Sequence, residues 1–300
     1  MTITQFNRIV EIRTKIISMG TFLGASLFAA VTTGTWSWPR FVVMAFAVLL
    51  VDMGTTGFNS YFDFTSGTDK AEYNHERDKV LVHEGVDPKI ALAISLGLFA
   101  MAGILGLVLA WWTSWWLLVA GGICMMVGFV YTGGPLPISR TPFGELFAGG
   151  FLGTVLFTIS YYVQALSVKF DTIIVSLPLM LLIALILTVN NTCDRVADKI
   201  AGRRTLSILL PERAVLVLMQ LLVVGAFGLT IIYASLGLIP WITIPLAVVA
   251  FIPAWTSYKT MEKRGFRLET KGPSMGNVSQ IFLFYCMAFV AGMVGGLLFK

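Results

Sequence analysis

Charged side chains are scarce in this sequence. Only 12% of its 300 residues are Asp, Glu, Lys or Arg, about half of the roughly 25% that is usual in soluble domains. Hydrophobic residues make up 57%, and the mean hydropathy is +0.83. A soluble protein of this length could not cover its surface with so few charges. The composition therefore excludes a soluble globular enzyme, a disordered chain and a coiled coil.

Cysteine and histidine are also scarce. The three cysteines, Cys124, Cys193 and Cys286, are odd in number and far apart, which excludes a disulfide framework and a zinc site. His75 and His83 lie in a charged loop without the partner pattern of a metal site. The net charge is +5, but no basic face carries the aromatic or groove-reading elements that bind nucleic acid. We therefore expect no nucleic-acid partner.

Long apolar runs dominate the sequence. A membrane helix needs about 20 mostly apolar residues, and nine segments meet that requirement. The first follows a polar, basic stretch without a convincing cleavage site, so we interpret it as a membrane helix and not as a signal peptide. We predict an all-α membrane protein with a single domain over residues 1–300. The predicted helices are 16–37, 40–62, 88–111, 115–134, 143–164, 172–193, 213–236, 239–257 and 277–299.

The positive charges predict the orientation of these helices. With a cytoplasmic amino terminus, 18 of the 21 Lys and Arg residues lie in cytoplasmic segments, as the positive-inside rule requires. The acidic residues also lie there, except for Asp171 at an outer helix end and Asp52 inside the second helix. We therefore expect any chemistry at the cytoplasmic face of a membrane, most simply the bacterial cell membrane.

The first acidic motif ends the second predicted helix. Asn59 and Asp63 are four residues apart and so share one helix face. Gly67 allows a turn that returns Asp69 towards that face. The second acidic motif ends the sixth helix.

In the second motif, Asn190, Asp194 and Asp198 follow at intervals of four residues, with Asn191 beside the first. Both helices run in the same direction, so the two motifs lie at the same membrane level. This recurrence predicts two pseudo-symmetric halves, roughly 1–135 and 136–300, that face each other across a cavity.

Carboxylates that face one cavity repel each other unless cations neutralise them. Carboxylate and amide oxygens suit Mg²⁺, which proteins commonly hold with one or two carboxylates together with substrate phosphates. We therefore predict a diphosphate clamp, with solvated loop charge as the alternative. The predicted metal ligands are Asn59, Asp63, Asp69, Asn190, Asp194 and Asp198, of which Asp63, Asp194 and Asp198 are also the predicted catalytic carboxylates.

Basic residues follow each motif and are predicted to hold the remaining phosphate oxygens. They are Lys70, Arg77, Lys199, Arg203 and Arg204, with Asn59, Asn190 and Asn191 as further substrate-binding residues. The cations between Lys259 and Lys271 are interpreted as positive-inside charge alone.

Asp52 is the one deep ionisable residue. It lies seven residues before Asn59, on the same face and about 10 Å deeper at 1.5 Å per residue. Ionisable residues inside membrane helices are costly and often functional. Asp52 is therefore either a substrate-binding residue or a paired structural carboxyl, and the sequence leaves both open.

The motifs resemble those of the UbiA superfamily of intramembrane aromatic prenyltransferases over nearly the whole chain. The strings are most similar to the MenA branch, which acts on 1,4-dihydroxy-2-naphthoate. They are Asn59-Ser-Tyr-Phe-Asp63-Phe-Thr-Ser-Gly-Thr-Asp69, Tyr131-Thr-Gly-Gly-Pro-Leu-Pro137 and Asn190-Asn-Thr-Cys-Asp194-Arg-Val-Ala-Asp198-Lys-Ile-Ala-Gly-Arg-Arg-Thr-Leu206. The resemblance implies a nine-helix bundle around a central cavity open to the cytoplasmic side and to the membrane.

Three positions depart from the family pattern. Ser60 stands where Asp is usual, Cys193 where Arg is usual, and Asp52 where Gln is common. The first two remove polar groups from the expected site but leave the metal-binding skeleton intact. These two departures therefore affect the expected identity of the aromatic acceptor more than the expected class of reaction, which is prenyl transfer.

The resemblance also implies the reaction. A polyprenyl diphosphate is bound through Mg²⁺, its allylic C–O bond breaks, and dihydroxynaphthoate is prenylated with loss of CO₂ and diphosphate, giving demethylmenaquinone for menaquinone biosynthesis. Tyr131, as a catalytic residue, and Tyr61, as a substrate-binding one, are candidates for cation stabilisation or acceptor positioning, with interfacial anchoring as the alternative.

Two other functions stay open. Another acceptor, such as 4-hydroxybenzoate or haem, would keep the class of reaction. A cation-coupled secondary transporter would need broken helices and charges near the bilayer centre. Only Asp52 is deep, which favours an enzyme.

The orientation can be tested by labelling with a membrane-impermeant thiol reagent. In a background in which serine replaces the three native cysteines, we expect Asn74→Cys to react only from the cytoplasmic side and Lys169→Cys only from the outside. Reaction of both cysteines from the same side would contradict the predicted arrangement.

Overall fold

The computed structural model describes residues 1–69 and 79–299, and these residues form helices and connecting turns without any β-strand. The all-α prediction is therefore confirmed, and a long helical segment stands at each of the nine predicted positions. We number these segments α1 (Ile16–Thr33), α2 (Trp38–Thr65), α3 (Pro88–Trp112), α4 (Trp116–Thr132), α5 (Gly144–Ala165), α6 (Phe170–Cys193), α7 (Glu212–Ser235), α8 (Thr243–Arg264) and α9 (Lys271–Leu298).

Short helices fill several connections. Ile3–Ile9 and the 3₁₀ turn Ile12–Lys15 precede α1, and Val80–His83 precedes α3. Ile138–Arg140 lies between α4 and α5. The remaining short helices are Arg195–Ile200, Leu206–Leu209 and Leu268–Thr270.

Seven of the long segments are apolar and long enough to cross a membrane, so the chain is an integral membrane protein. They are α1, α2, α3, α5, α6, α7 and α9. The helix α4 is apolar but has only 17 residues. The helix α8 contains Pro253 and ends in Lys263 and Arg264. Nine crossings and the orientation stay predictions.

Two helix ends differ from the predicted boundaries in a way that matters for the site. The helix α9 begins at Lys271, six residues before the predicted start, and Pro273 lies in its first turn, where proline is tolerated. The helix α8 continues to Arg264 because Tyr258 and Met261 are fully buried and extend its packed face. Both differences lengthen the bundle at the end that carries the acidic motifs.

Each motif-bearing helix packs along the helix that follows it. The helix α2 packs on α3, and α6 packs on α7. The largest core cluster joins α1 to helices α5–α9 and includes Phe28, Phe157, Leu182 and Tyr285. A smaller cluster joins the amino-terminal segment to α2 and α3. The helix α6 is the most buried candidate span and α3 the least, so α6 is the central support of the bundle.

Small residues bring α5 and α6 close together. The segment Gly149–Val155 of α5 is a π-helix, which widens the turn there. A Cβ atom on Gly153 would lie 2.6 Å from the backbone N and Cα of Met180, and one on Gly149 would lie 2.6 Å from the Met180 carbonyl oxygen. Glycines at such positions allow two helix backbones to approach closely in a membrane.

This packing gives a matched pair of variants. Gly153→Ala should lower the free energy of unfolding by about 1–3 kcal/mol, because its methyl group would overlap the α6 backbone. Gly150→Ala is the control, since nothing lies within 4 Å of the added Cβ. Thermal unfolding in detergent would measure both. Equal melting temperatures would show that the close contact between α5 and α6 contributes little.

Candidate functional site

A cavity of about 1370 Å³ lies inside the bundle, and both acidic motifs line it. Asn59, Asp63 and Asp69 contribute from α2 and the turn after it. The second motif contributes Asn190, Asn191, Asp194 and Asp198 from α6 and the short helix that follows. The structure therefore brings the two motifs onto one cavity, as their recurrence predicts.

The geometry of the first motif follows from the end of α2. Gly67 has φ +71°, a left-handed conformation that glycine adopts without steric cost. This turn lets the backbone N–H of Asp69 donate to the carbonyl oxygen of Asp63 at 3.0 Å. The Oδ1 atom of Asn59 accepts a hydrogen bond of 2.6 Å from the hydroxyl of Thr132 on α4. The motif is thus fixed by its own loop and by a neighbouring helix.

The second motif spans a break between two helices. The helix α6 ends at Cys193, and a new helix begins at Arg195. The turn at Asp194 still keeps Asp198 in register, because the N–H of Asp198 donates to the carbonyl of Asp194 at 2.8 Å. Asn191 is buried and donates to Oε1 of Glu145 on α5 at 2.8 Å.

Arg203 connects the two motifs. Its Nη2 atom lies 3.2 Å from Oδ1 of Asp63, and its Nη1 atom lies 3.1 Å from Oδ1 of Asp198. The side chain is only 10% exposed. Such charge-assisted hydrogen bonds are stronger between side chains that are largely shielded from solvent, because the effective dielectric constant there is lower than in water. Arg203 therefore holds the two halves of the acidic site together.

Two lysines neutralise the other motif carboxylates. The Nζ atom of Lys271, the first residue of α9, lies 2.6 Å from Oδ2 of Asp194. Lys79 lies 3.4 Å from Oδ2 of Asp69 and 3.6 Å from Oε1 of Glu11. The interpretation of Lys271 as positive-inside charge alone was thus incomplete. Pro273 could have indicated the earlier start of α9, but no sequence signal indicates the contact of Lys271 with Asp194.

The pKa of Asp198 is raised to about 6, and burial is the largest cause. Arg203 opposes this rise in the pKa, and the nearby Asp194 adds to it. Removing a carboxylate from water disfavours its charged form. Asp198 is therefore ionised at neutral pH and takes up a proton as the pH falls through about 6. That protonation would weaken its ion pair with Arg203.

Asp52 lines the same cavity and is paired. Its Oδ1 atom lies 2.7 Å from Nζ of Lys15, and its Oδ2 atom accepts 2.5 Å from the hydroxyl of Ser18. Lys15 also contacts the Thr56 hydroxyl at 3.1 Å. The sequence left two interpretations of Asp52 open. Its pairing with Lys15 agrees with a structural carboxyl, and its position on the cavity wall agrees with a substrate-binding residue.

The other predicted residues divide between the cavity and its surroundings. Tyr131 lines the cavity, and its hydroxyl lies 3.5 Å from the Gly144 carbonyl. Tyr61 does not line it and packs instead with the cluster of the amino-terminal segment. Lys199 and Arg204 are exposed and lie outside the lining. These three therefore have no place in the wall of this cavity. Lys70 and Arg77 lie outside the described residues.

The carboxylate and amide oxygens of the two acidic motifs would suit a magnesium ion that is also bound by a phosphate-bearing ligand. No three acidic side chains within residues 1–69 and 79–299 converge closely enough to hold an ion by themselves. Mg²⁺ is usually held by one or two carboxylates plus substrate phosphates, so this spacing agrees with joint binding. The Oδ2 atom of Asp198 is buried and accepts no hydrogen bond, which leaves it available to a cation.

Comparison with known sequences identifies relatives. The sequence profile of the UbiA prenyltransferase family matches residues 18–266. The chain is similar to the 1,4-dihydroxy-2-naphthoate octaprenyltransferase of Bacillus subtilis, at 38% identity over 60% of this chain and 57% of that protein. It is also similar to the enzyme of the same name from Mycobacterium tuberculosis, at 31% identity over 76% of this chain and 74% of that protein.

Solved structures show the same fold. A UbiA homolog from Aeropyrum pernix aligns with a TM-score of 0.66 over 93% of this chain and 98% of that one, at 15% identity. A UbiA homolog from Archaeoglobus fulgidus bound to DMAPP and Mg²⁺ aligns with a TM-score of 0.62 over 96% of this chain and 99% of that one, at 14% identity. At these identities the likeness establishes the fold.

Arg203 allows a test that does not depend on turnover. Arg203→Gln should lower the free energy of unfolding by roughly 1–3 kcal/mol without Mg²⁺. This is less than the about 3–5 kcal/mol for a fully buried pair, because the site is partly exposed. Added Mg²⁺ should then raise the melting temperature of Arg203→Gln more than that of wild type, since Asp63 and Asp198 lack their cation. Arg204→Gln, a change at the exposed neighbour, is the control. An equal response of all three proteins to Mg²⁺ would show that loss of Arg203 does not make Asp63 and Asp198 a binding site for the ion in the absence of a phosphate-bearing ligand.

Proposed function

Because the chain belongs to the UbiA prenyltransferase family, we propose that it transfers a polyprenyl group from polyprenyl diphosphate to 1,4-dihydroxy-2-naphthoate. The observation that carries this proposal is the meeting of two acidic motifs on one cavity, with Arg203 between them. The relatives named as dihydroxynaphthoate octaprenyltransferases support the acceptor. The structures with DMAPP or GPP and Mg²⁺ support a metal-bound diphosphate.

Both the polar and the apolar walls of the cavity suit such a donor. Asn59, Asp63, Asp69, Asn190, Asp194 and Asp198 would hold Mg²⁺, which would neutralise the diphosphate and make it a better leaving group. Arg203 and Lys271 lie among these carboxylates and can pair with phosphate oxygens. The apolar wall, which includes Leu109, Leu117 and Leu118, suits the polyprenyl tail. It also excludes water that would react with an allylic cation.

The transfer balances in atoms and electrons. The allylic C–O bond breaks, and its electron pair leaves with diphosphate. The ring carbon that bears the carboxylate supplies the pair for the new C–C bond. The carboxylate then leaves as CO₂, and the pair of that bond restores the aromatic ring. The immediate product is the quinol form of demethylmenaquinone, and a quinone forms only on later oxidation.

The proposed orientation places this chemistry at the cytoplasmic side of the cell membrane. The positive-inside distribution supports a cytoplasmic amino terminus, and both motifs stand at helix ends of that side. A water-soluble aromatic acceptor would then reach the cavity from the cytoplasm, and the polyprenyl donor would reach it from the bilayer. In this proposal the chain is a single transmembrane domain of two pseudo-symmetric halves, and each half carries one acidic motif.

The reaction can be tested with the purified protein, Mg²⁺ and polyprenyl diphosphates of several lengths. The three acceptors to compare are 1,4-dihydroxy-2-naphthoate, 4-hydroxybenzoate and haem. We expect mass spectrometry to detect a prenylated naphthoquinol, and carboxyl-labelled dihydroxynaphthoate to release labelled CO₂. Asp63→Asn, Asp194→Asn and Asp198→Asn should each reduce turnover by on the order of 100-fold or more, because each removes a carboxylate that would hold the Mg²⁺ that neutralises the leaving diphosphate. EDTA should stop turnover reversibly.

Asp171→Asn provides a matched control, because this carboxylate is exposed in the first turn of α6. Full turnover in excess EDTA would exclude the magnesium clamp. Prenylation of only 4-hydroxybenzoate or haem would replace the acceptor but keep the class of reaction. Absence of transfer to any of the three would contradict the proposal.

A further inference from the structure

Within the part of the chain that the structure describes, five cationic side chains line the cavity. Four of them have carboxylate partners. Arg203 pairs with Asp63 and Asp198, Lys271 with Asp194, and Lys79 with Asp69 and Glu11, while Arg8 lies 2.5 Å from Oε1 of Glu84. The fifth is Arg13, whose side chain is exposed and has no ion pair or hydrogen bond there. Arg13 is therefore the lining cation whose charge is not already met by the protein.

The backbone that carries Arg13 is fixed against α2. Residues 9–15 run past a stripe of α2 residues spaced by four. The hydroxyl of Ser60 donates to the Ile9 carbonyl at 3.1 Å, and that of Thr56 donates to the Val10 carbonyl at 2.8 Å. At the end of the segment, Lys15 is 3% exposed and is paired with Asp52.

Glu11 supplies the turn within this segment, with φ +48°. A left-handed conformation is uncommon for a residue with a side chain and persists only where its surroundings hold it. The Lys15–Asp52 pair and the two hydroxyl contacts are such surroundings. Arg13 is thus presented to the cavity by an anchored segment next to the helix that bears Asn59 and Asp63.

An unpaired guanidinium on the wall of a substrate cavity favours an anion. Its planar fork matches a carboxylate in a bidentate arrangement, which fixes direction as well as charge. The diphosphate already has cations within the acidic motifs, namely Arg203 and Lys271. The anion that Arg13 would bind is therefore the carboxylate of the second substrate, the aromatic acceptor.

We propose that Arg13 binds the carboxylate of the aromatic acceptor and so determines selection of a hydroxylated aromatic acid. This inference rests on the proposed function and specifies how the acceptor is recognised. Holding the carboxylate orients the ring before the new bond forms, and such positioning is a large part of catalysis.

The test compares two acceptors that differ only in the carboxylate. They are 1,4-dihydroxy-2-naphthoate and 1,4-naphthalenediol, in which a ring proton replaces the leaving CO₂. We expect Arg13→Gln to raise KM for the naphthoate about tenfold or more, and to leave KM for naphthalenediol and for the polyprenyl diphosphate within about twofold. Arg13→Lys should restore part of the loss, because it keeps the charge without the fork.

Arg8→Gln is the control, because Arg8 also lines the cavity but is paired with Glu84. An equal rise in KM for both acceptors, or a rise for the diphosphate, would overturn the proposal in favour of a structural or diphosphate-binding role. An unchanged KM for the naphthoate in an active enzyme would overturn it as well.

Binding separates this inference from the reaction itself. The affinity of the full-length protein for dihydroxynaphthoate, measured by quenching of tryptophan fluorescence, should fall about tenfold or more in Arg13→Gln and remain unchanged in Arg8→Gln. If the wild-type protein binds the naphthoate through Arg13 but transfers no prenyl group, the proposed reaction fails and the role of Arg13 stands. If Arg13→Gln binds the naphthoate as wild type does, the role of Arg13 fails whatever the reaction.

Discussion

The paired contact of Arg203 with Asp63 and Asp198 is the interaction on which the rest of the site depends. It joins positions 140 residues apart in the sequence. The three side chains are largely shielded from solvent, which strengthens the attraction. The motif carboxylates would otherwise repel each other. Lys271 neutralises the charge of Asp194, and Lys79 neutralises that of Asp69. The motif carboxylates are therefore held near each other by the protein's own cations.

The packing of the helices explains why a large cavity persists beside this dense charge network. The helix α6 lies in the main core and is joined closely to α5 through Gly149 and Gly153. The helix α3, by contrast, exposes much of its apolar surface. One side of the bundle is thus tightly packed and positions the second motif. The other side, with α4 and its small residues Gly121 and Gly122, leaves room along the cavity wall. A rigid charged end and an open apolar wall suit the two parts of an amphipathic substrate.

Much of this architecture could be predicted from local sequence. Apolar runs located the helices because the length of a span is set by the thickness of the bilayer. The spacing of Asn59 and Asp63 and of Asn190, Asp194 and Asp198 predicted that each set shares a face, because helical periodicity is a local property. The family resemblance, confirmed by the match to residues 18–266, followed from the same strings. The direction of the membrane crossing and the role of each site residue stay predictions.

The remaining features were decided by tertiary structure alone. Sequence could not distinguish Arg203 from its neighbour Arg204, because the two differ only in the direction that the turn after Asp198 gives each side chain. It could not bring Lys271 to Asp194 or Lys15 to Asp52, because those contacts depend on how separate helices pack. Tyr61 is adjacent to the first motif in sequence but points into another cluster. Sequence fixes which charges are available near a helix end, whereas the packing of the helices decides which of them meet, because ion pairs depend on distance in space and not on separation along the chain.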